Sequence, residues 1–590
     1  MSQLSIRTRR ASLALAAAFC TTVPLTVAAQ RDTTREVVSR RGLVVSVSTI
    51  ASELGAAVMA KGGNAADAAI ATAFALAVTH PAAGNIGGGG FMVVRLADGQ
   101  ATTFDFRERA PSASSATMFL QADGSIAYSR TDSGWLAPGV PGTVRGLALA
   151  HSRLGRLPWR ELVRPAARLA ARGFPLSPAL AAELNEQLRN GKLGRFPSSV
   201  RAYGKRGGAP WKAGELLKLP DLARSLDAIA THGADAFYKG WIADSLAAQM
   251  RAHRGLITRE DLAAYQARER APLRGTFLGH EIIAMGPPSS GGIVTIQTLN
   301  QLEQLGIERL DRDSPQYLHL RIETARRAYL DRARFIGDPD FVAVPVDRLT
   351  SKAYARELAQ AIDVARASSS LELGGDIVTV PGTEPDETTH LSVVDAAGNA
   401  VSLTYTLEGG YGSGVVVSGA GFILNNEMGD FNKKPGETNT RGDIGTPANL
   451  AAPGKRMLSS MSPTIVTRGG ALRLVTGSPG GRTIPNTVID VVLGVTAFGL
   501  GARDAVDAPR VHHQWLPDVT SYEVGAISPE AAAWLTAAGH QLRVAPARRQ
   551  GDAHSIVYDA ATKTAYGAND RRTPDSGAAR PAPRARAARR

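Results

Sequence analysis

The chain has 590 residues, 44% hydrophobic and 20% charged, which is the balance of a globular protein and not of a disordered or fibrous one. Its formal charge of +14 does not indicate a nucleic-acid partner: five arginines (Arg580, Arg584, Arg586, Arg589, Arg590) fall in the acid-free tail ARPAPRARAARR, and elsewhere basic and acidic residues are interspersed without a helix-turn-helix, zinc-finger or RNP pattern. The single cysteine, Cys20, lies in the first 29 residues, which excludes disulfides, thiolate nucleophiles and Cys-zinc sites from the rest of the chain.

Residues 1–29 read as a secretory signal. A basic stretch (Arg7, Arg9, Arg10) precedes an apolar run, and the small residues Val27 and Ala29 place the cut after Ala29. The Arg9-Arg10 pair leaves Sec and twin-arginine export both open. Pro24 interrupts the run and argues against a membrane anchor. A periplasmic or secreted protein with no stable membrane span is expected.

Next, GLVVSVSTIASELGAAVMAKGGNAADAAIATAFALAVTHP predicts a strand and two helices, with Gly62-Gly63 ending the first helix and Asn64 capping the second. NIGGGGFMVVRLADGQATTFDFRERAP predicts two strands joined at Asp98-Gly99, the second ending at Arg107. The glycines 87–90 lack the Lys-Ser/Thr of a phosphate loop and read as close backbone packing. Residues 140–370 follow a helical pattern, broken by a β segment around GTFLGHEIIAMGPPSSGG. The last third is mostly β, including GAGFILNNEMGDF, with one helix over TIPNTVIDVVLGVTAFG. This order suggests sheets sandwiched between helical layers. The polar, Gly/Pro-rich segment 431–455 is long enough to be a lid.

In PDETTHLSVVDAAGNAVSLTYTL a Thr-Thr pair opens a β-hairpin turning near Ala397-Gly398. Residues whose numbers sum to about 795 should pair, so Thr388 and Thr389 face Thr406 and Leu407. Such threonines are either structural or a hydroxyl nucleophile with its aiming partner. No GxSxG elbow or HExxH motif offers another nucleophile or metal site. GSPGGR, 477–482, is either a plain turn or a presenter of two backbone N–H groups to an oxyanion.

TTHLSVVDAAGNAVSLTYTL, GFILNNEMGDF, KRMLSSMSPTIV and LVTGSPGGRTI resemble the small subunit of γ-glutamyltranspeptidases, and GGNAADAAIATAFALAVTHPAAGNIGGGGFMVVR, FDFRERAP and GPPSSGGI resemble the large one. The resemblance spans residues 40–575. It implies an α+β fold, the four-layer αββα sandwich of N-terminal nucleophile hydrolases, forming one body from two autoprocessed subunits. The expected divisions are 1–29 signal peptide, 30–387 large subunit, 388–575 small catalytic subunit and 576–590 disordered basic tail.

Carried over, the resemblance places self-cleavage between Glu387 and Thr388, which frees the Thr388 α-amine as a base for its own hydroxyl. It implies that Thr406 aims that hydroxyl, with Thr389 close by, and that Gly480 and Gly481 supply the oxyanion N–H pair. Arg107, Ser459 and Ser460 would hold the α-carboxylate of a γ-glutamyl group, and Glu427 and Asp430 its α-ammonium. Glu408 replaces an asparagine common in the family and still suits an ammonium. Arg441 stands where several members carry a gating aromatic, which bears on water exclusion and on the balance of transfer to hydrolysis.

The implied function is cleavage of glutathione and other γ-glutamyl amides, with transfer to amino acids, peptides or water. No cofactor, metal or nucleic acid is expected. A glutaryl or cephalosporin acylase on the same scaffold is the alternative, and a non-catalytic secreted binding protein a further one.

Overall fold

In a computed structural model of the chain, the structure describes residues 36–377, 379–380, 388–440, 443–545 and 550–583. The signal segment, Glu387, Arg441 and the end of the tail lie outside the described residues.

Apolar runs, not strict alternation, mark the central strands, as expected where both faces of a sheet are covered. Gly42–Ser46, Gly89–Arg95, Thr389–Asp395 and Ala400–Thr406 are buried at every position. They belong to a seven-stranded antiparallel sheet in the order Gly577–Ala579, Gly42–Ser46, Thr389–Asp395, Ala400–Thr406, Gly89–Arg95, Ala101–Asp105, Arg268–Arg270. A second seven-stranded antiparallel sheet runs Val37–Ser39, Thr564–Ala568, Ser555–Asp559, Ala471–Thr476, Thr464–Arg468, His280–Ala284, Leu273–Phe277.

Helices close both outer faces. Asn64 and Asp67 form a reciprocal capping box that starts Ala65–Thr79, and all fifteen residues of this helix are buried. Its small side chains suit that position, because alanine permits close approach on every side. Ile70 and Phe74 of this helix share a core with Leu391, Val393, Leu403 and Tyr405 of the first sheet. Leu43, Val45, Phe91 and Val93 point the other way, into a core with Ile465, Leu474 and Val475 of the second sheet. Gly291–Gln304 and Ile484–Thr496 then cover the second sheet's far side. The result is the expected αββα sandwich. Serines pin the sheets together: Ser402 Oγ donates to the Thr476 carbonyl at 2.8 Å and accepts from the Thr464 amide at 3.0 Å.

The glycine run is a close-packing device. A Cβ on Gly88 would stand 2.0 Å from the Thr406 carbonyl oxygen, and one on Gly90 2.4 Å from that of Thr404. Gly89–Arg95 can therefore lie beside Ala400–Thr406 only without side chains there.

Five expectations need correction. The hairpin pairs Thr389 with Tyr405 and Val394 with Ala400, so paired numbers sum to one less than expected. The cause is the turn: Asp395 Oδ1 accepts the amides of Ala397 and Asn399, and Gly398 takes φ +91°, which makes a tight loop centred on Ala397. GAGFILNNEMGDF is not a strand but a loop with a single bridge, Val416 to Ile423, that ends in the 3₁₀ turn Glu427–Asp430. Glycines and paired asparagines break the ladder there. Helices Ala502–Asp507 and Pro529–Ala537 add to the one expected in the last third. Finally, Gly577–Ala579 is an edge strand on Gly42–Ser46, and Ser576 is buried, so order extends past residue 575. The strand Ala101–Asp105 also stops two residues before Arg107.

Within 431–455 the described residues hold only the two-residue strand Thr438–Asn439, paired in parallel with Thr379–Val380, and the 3₁₀ turn Pro447–Asn449. Among the described residues no helix is long and apolar enough to cross a membrane.

Candidate active site

Extending the hairpin register by one residue sets Thr388 across from Thr406 at its open end. The Thr406 hydroxyl accepts the Glu408 amide at 2.8 Å, and the Thr406 carbonyl accepts from the Asn85 side chain at 2.9 Å. The chain then turns sharply, with Glu408 at φ +79°, a conformation costly for a non-glycine residue. Asn426 holds that turn by accepting the Gly409 amide at 3.0 Å and donating to the Glu408 carboxylate.

A single cavity is lined by Thr388, Thr406, Glu408, Arg107, Glu427, Asp430, Ser459, Ser460 and Gly481. The structure thus brings together nine of the residues singled out from sequence. Thr389 is not on the wall: it is fully buried, and strand alternation turns it to the other face. Gly480 precedes Gly481 in the chain and is not itself part of this lining.

Arg107 is 1% exposed and organises the acidic side of the cavity. Its Nη1 lies 2.7 Å from Glu427 Oε2 and 3.4 Å from Glu108 Oε2, and its Nη2 pairs with Asp430. Nε and Nη2 also donate to the Met457 and Leu458 carbonyls at 3.3 and 3.1 Å. Burial opposes the arginine's charge, but Glu427, Asp430 and Glu108 outweigh it and raise its pKa above the ordinary value. The carboxyls respond in kind. Burial, opposed by Arg107, pushes Glu108 up to about 8. Burial and the charge of Asp430 push Glu408 up to about 8. Burial likewise raises Glu427 well above the carboxylate range. Burial and mutual repulsion thus oppose ionisation of Glu108, Glu408 and Glu427, and the Arg107 charge favours it for Glu108 and Glu427. Among the described residues no cluster of three or more His, Cys, Asp or Glu is arranged to hold a metal ion.

Other parts of the lining are built from backbone and hydroxyls. Ser459 carries its carbonyl to Ser290, whose amide and hydroxyl donate to it at 2.8 and 2.7 Å. Ser460 Oγ accepts from Arg332 Nη2 at 3.0 Å. Gly480, at φ +126°, and Gly481 lead into the helix Ile484–Thr496, so their N–H groups sit at the positive end of its dipole. A Cβ on Gly480 would stand 2.4 Å from Thr483 Oγ1. His390, on the strand Thr389–Asp395, packs its ring on Gly477 of the glycine loop and bonds Thr404 Oγ1 at 2.8 Å and Ser392 Oγ at 3.0 Å. Burial holds this imidazole well below its ordinary pKa, in the neutral form.

Sequence reasoning missed Arg332, Lys433, Asp443, Asn449 and Arg482, which also line the cavity. Arg332 had a signal: the helix Pro315–Phe335 has charges on every face, and the structure buries Arg321, Glu323, Arg326, Arg327, Asp331 and Arg332. A helix charged all round that is nonetheless buried must pair those charges internally. Lys433, Asp443 and Asn449 lie in the segment 431–455 that reads as a lid, but no local pattern singles out these side chains, because loop residues reach the site only through tertiary packing.

Two facing sheets between helical layers, a threonine at the mouth of the central hairpin and a glycine pair at a helix N-terminus beside it define an N-terminal nucleophile hydrolase scaffold. The chain belongs to the gamma-glutamyltranspeptidase family, whose model matches residues 51–580. It is 43% identical over 556 residues to the glutathione hydrolase proenzyme of Escherichia coli (strain K12), with 94% of each chain covered. It is 45% identical over 505 residues to that of Pseudomonas aeruginosa, covering 85% of this chain and 88% of the relative. Among solved structures, cephalosporin acylase from Bacillus halodurans superposes with a TM-score of 0.80 at 28% identity, covering 92% of this chain and 96% of that one.

Proposed function

We propose that the protein is a γ-glutamyl acyl-transfer enzyme that hydrolyses glutathione and related γ-glutamyl amides and passes the group to amino acids, peptides or water. The observation that carries this reading is the joining of Thr388, the Arg107–Glu427–Asp430 cluster and Gly481 in one cavity. An amino-acid head has both a carboxylate and an ammonium, and this cluster offers a partner to each. The substrate carboxylate takes the Arg107 fork, helped by Ser459 and Ser460, while Glu427, Asp430 and Glu408 take the ammonium.

The enzyme is made as a precursor. The Thr388 hydroxyl attacks the Glu387 carbonyl carbon, the peptide C–N bond breaks, and the acyl group moves from nitrogen to oxygen as an ester. Water hydrolyses that ester, leaving a carboxylate on Glu387 and a free α-amine on Thr388. In turnover the amine takes the hydroxyl proton as Oγ attacks the γ-carbonyl, and returns it to the departing amine. The Gly480 and Gly481 amides stabilise the oxyanion, with the helix dipole behind them. Thr406, fixed by the Glu408 amide, keeps its hydroxyl directed toward Thr388. Residues 1–29 act as the export signal, and the two fragments remain one heterodimer.

A second reading, a glutaryl-type acylase, draws on the likeness to the Bacillus halodurans cephalosporin acylase. A glutaryl group has no ammonium, so the carboxyl cluster would lack its purpose. Paired assays with γ-glutamyl- and glutaryl-p-nitroanilide separate the two. The present reading expects turnover of the first to exceed the second at least a hundredfold, and the reverse preference would overturn it.

A further inference from the structure

Beyond the inner cluster, the cavity carries a second group of charges. The loop segments 432–440 and 443–446 are tied at their base: Asn432 Nδ2 donates to the Thr446 carbonyl at 2.6 Å, and the Gly436 amide to the Gly445 carbonyl at 2.8 Å. Two charged residues of this loop, Lys433 and Asp443, line the cavity that Thr388 shares. Their side chains lie 3.3 Å apart, from Nζ to Oδ1. Asp443 Oδ2 is already occupied, accepting from Tyr128 Oη at 2.7 Å and Asn439 Nδ2 at 2.8 Å. Burial works against its charge, but Lys433, Tyr128 and Asn439 outweigh it, so this carboxyl sits below its ordinary range and stays ionised.

Asp443 is therefore spent on its own loop, with one oxygen aimed at Lys433. An ammonium has three donors. One goes to Asp443, and the Lys433 side chain remains 17% exposed, toward the cavity. Arg482, on the same wall, adds positive charge next to Asp443. Of the other acids in the cavity, Glu427 and Asp430 pair with Arg107, while Glu408 is held by Asn426 and feels the charges of Asp430, Lys192 and Lys433. The cavity thus carries, besides the Arg107 cluster that matches a zwitterionic head, a loop-borne cation, Lys433, that favours an anion.

We propose that Lys433, held in place by Asp443, forms an outer subsite for the free carboxylate of the amino acid or peptide that accepts the acyl group, and for the same carboxylate on the departing half of a γ-glutamyl peptide. This rests on the γ-glutamyl-transfer reading above. It makes the enzyme selective for acceptors that carry a negative charge close to their amine.

The test compares glycylglycine with glycylglycinamide as acceptors, with γ-glutamyl-p-nitroanilide as donor, in the wild-type, Lys433→Met, Lys433→Arg and Asp443→Asn heterodimers. The amide lacks only the carboxylate charge and is an internal reference for each protein. The wild-type ratio of kcat/KM, acid over amide, should be at least ten. Lys433→Met should bring it near one through the acceptor KM, Lys433→Arg should restore most of it, and Asp443→Asn should fall between. A general disturbance of the loop would lower both acceptors together and leave the ratio alone. An active Lys433→Met enzyme with an unchanged ratio overturns the subsite while leaving the donor reaction standing. Absence of γ-glutamyl-p-nitroanilide turnover in the wild-type protein overturns both.

Discussion

Asn85 donates its side-chain amide to the Thr406 carbonyl oxygen at 2.9 Å, across 321 residues of sequence. Its Oδ1 accepts from the Gly88 amide at 2.9 Å and from Thr143 Oγ1 at 2.7 Å, and Nδ2 donates again to Ala83 at 2.8 Å. One side chain thus fastens the glycine run to the end of the hairpin strand that faces Thr388. The hydroxyl of Thr406 is aimed by Glu408, but its backbone is placed by Asn85.

Asn85→Ala should therefore act on the site without touching substrate. It removes the partner of two buried carbonyls, a buried amide and a buried hydroxyl, at a cost of about 1–3 kcal/mol for each group left unpaired. We expect a lower urea midpoint and a kcat for γ-glutamyl-p-nitroanilide reduced about tenfold or more by misplacement of the hydroxyl pair, with KM little changed. Steady-state kinetics beside a urea titration will separate the two effects.

Arg107 is expected to be as important to folding as to binding. Arg107→Met leaves Glu427, Glu108 and Asp430 without their cation, and breaking a buried pair costs about 3–5 kcal/mol. Arg107→Lys keeps the charge but loses the planar fork, so its main effect should be a KM raised at least tenfold with a smaller loss of stability. Chemical denaturation and KM for the γ-glutamyl donor check both.

Gly480 at φ +126° is strained for any other residue, and a Cβ there meets Thr483 Oγ1 at 2.4 Å and Gly551 Cα at 3.0 Å. Gly480→Ala should shift the loop amides and lower kcat by about 10²–10³, the usual cost of losing an oxyanion donor. Donor KM should change far less. A fall in KM-dependent binding alone, with kcat intact, would show that these amides do not face the reacting oxygen.

Glu408 gives a pH signature. Its folded-state pKa is raised from 4.5 to about 8, so the native state holds a proton that the unfolded chain releases near 4.5. Native Glu408 is then favoured at low pH, and its contribution is lost progressively as pH rises from about 4.5 through 8. Glu408→Gln, which stays neutral throughout, should lose less stability over that interval than the parent. Urea midpoints measured from pH 5 to 9 test the sign, and a steeper fall for the variant would contradict it.

The sequence was most readable where the chain's instructions are local. Asn64 and Asp67 start their helix as a capping pair should, and the glycine run lies where backbones touch. The hairpin is visible in the sequence, but its register differs by one because the bonds from Asp395 centre the turn on Ala397. Gly577–Ala579 was hidden because Gly and Ala carry little strand preference; only the waiting edge of Gly42–Ser46 makes it a strand. The site divides in the same way. Thr388, Arg107 and Gly481 belong to recognisable motifs, whereas Arg332, Lys433 and Asp443 enter the cavity through packing between distant segments.

The proposed reaction depends on a free amine at residue 388, and N-terminal sequencing of the smaller fragment of the purified protein tests this most directly. The expected result is two fragments, the smaller beginning Thr-Thr-His-Leu-Ser at Thr388, and a single uncut chain with no turnover for Thr388→Ala. A wild-type protein that is active while uncut, or whose smaller fragment begins at another residue, would contradict the account.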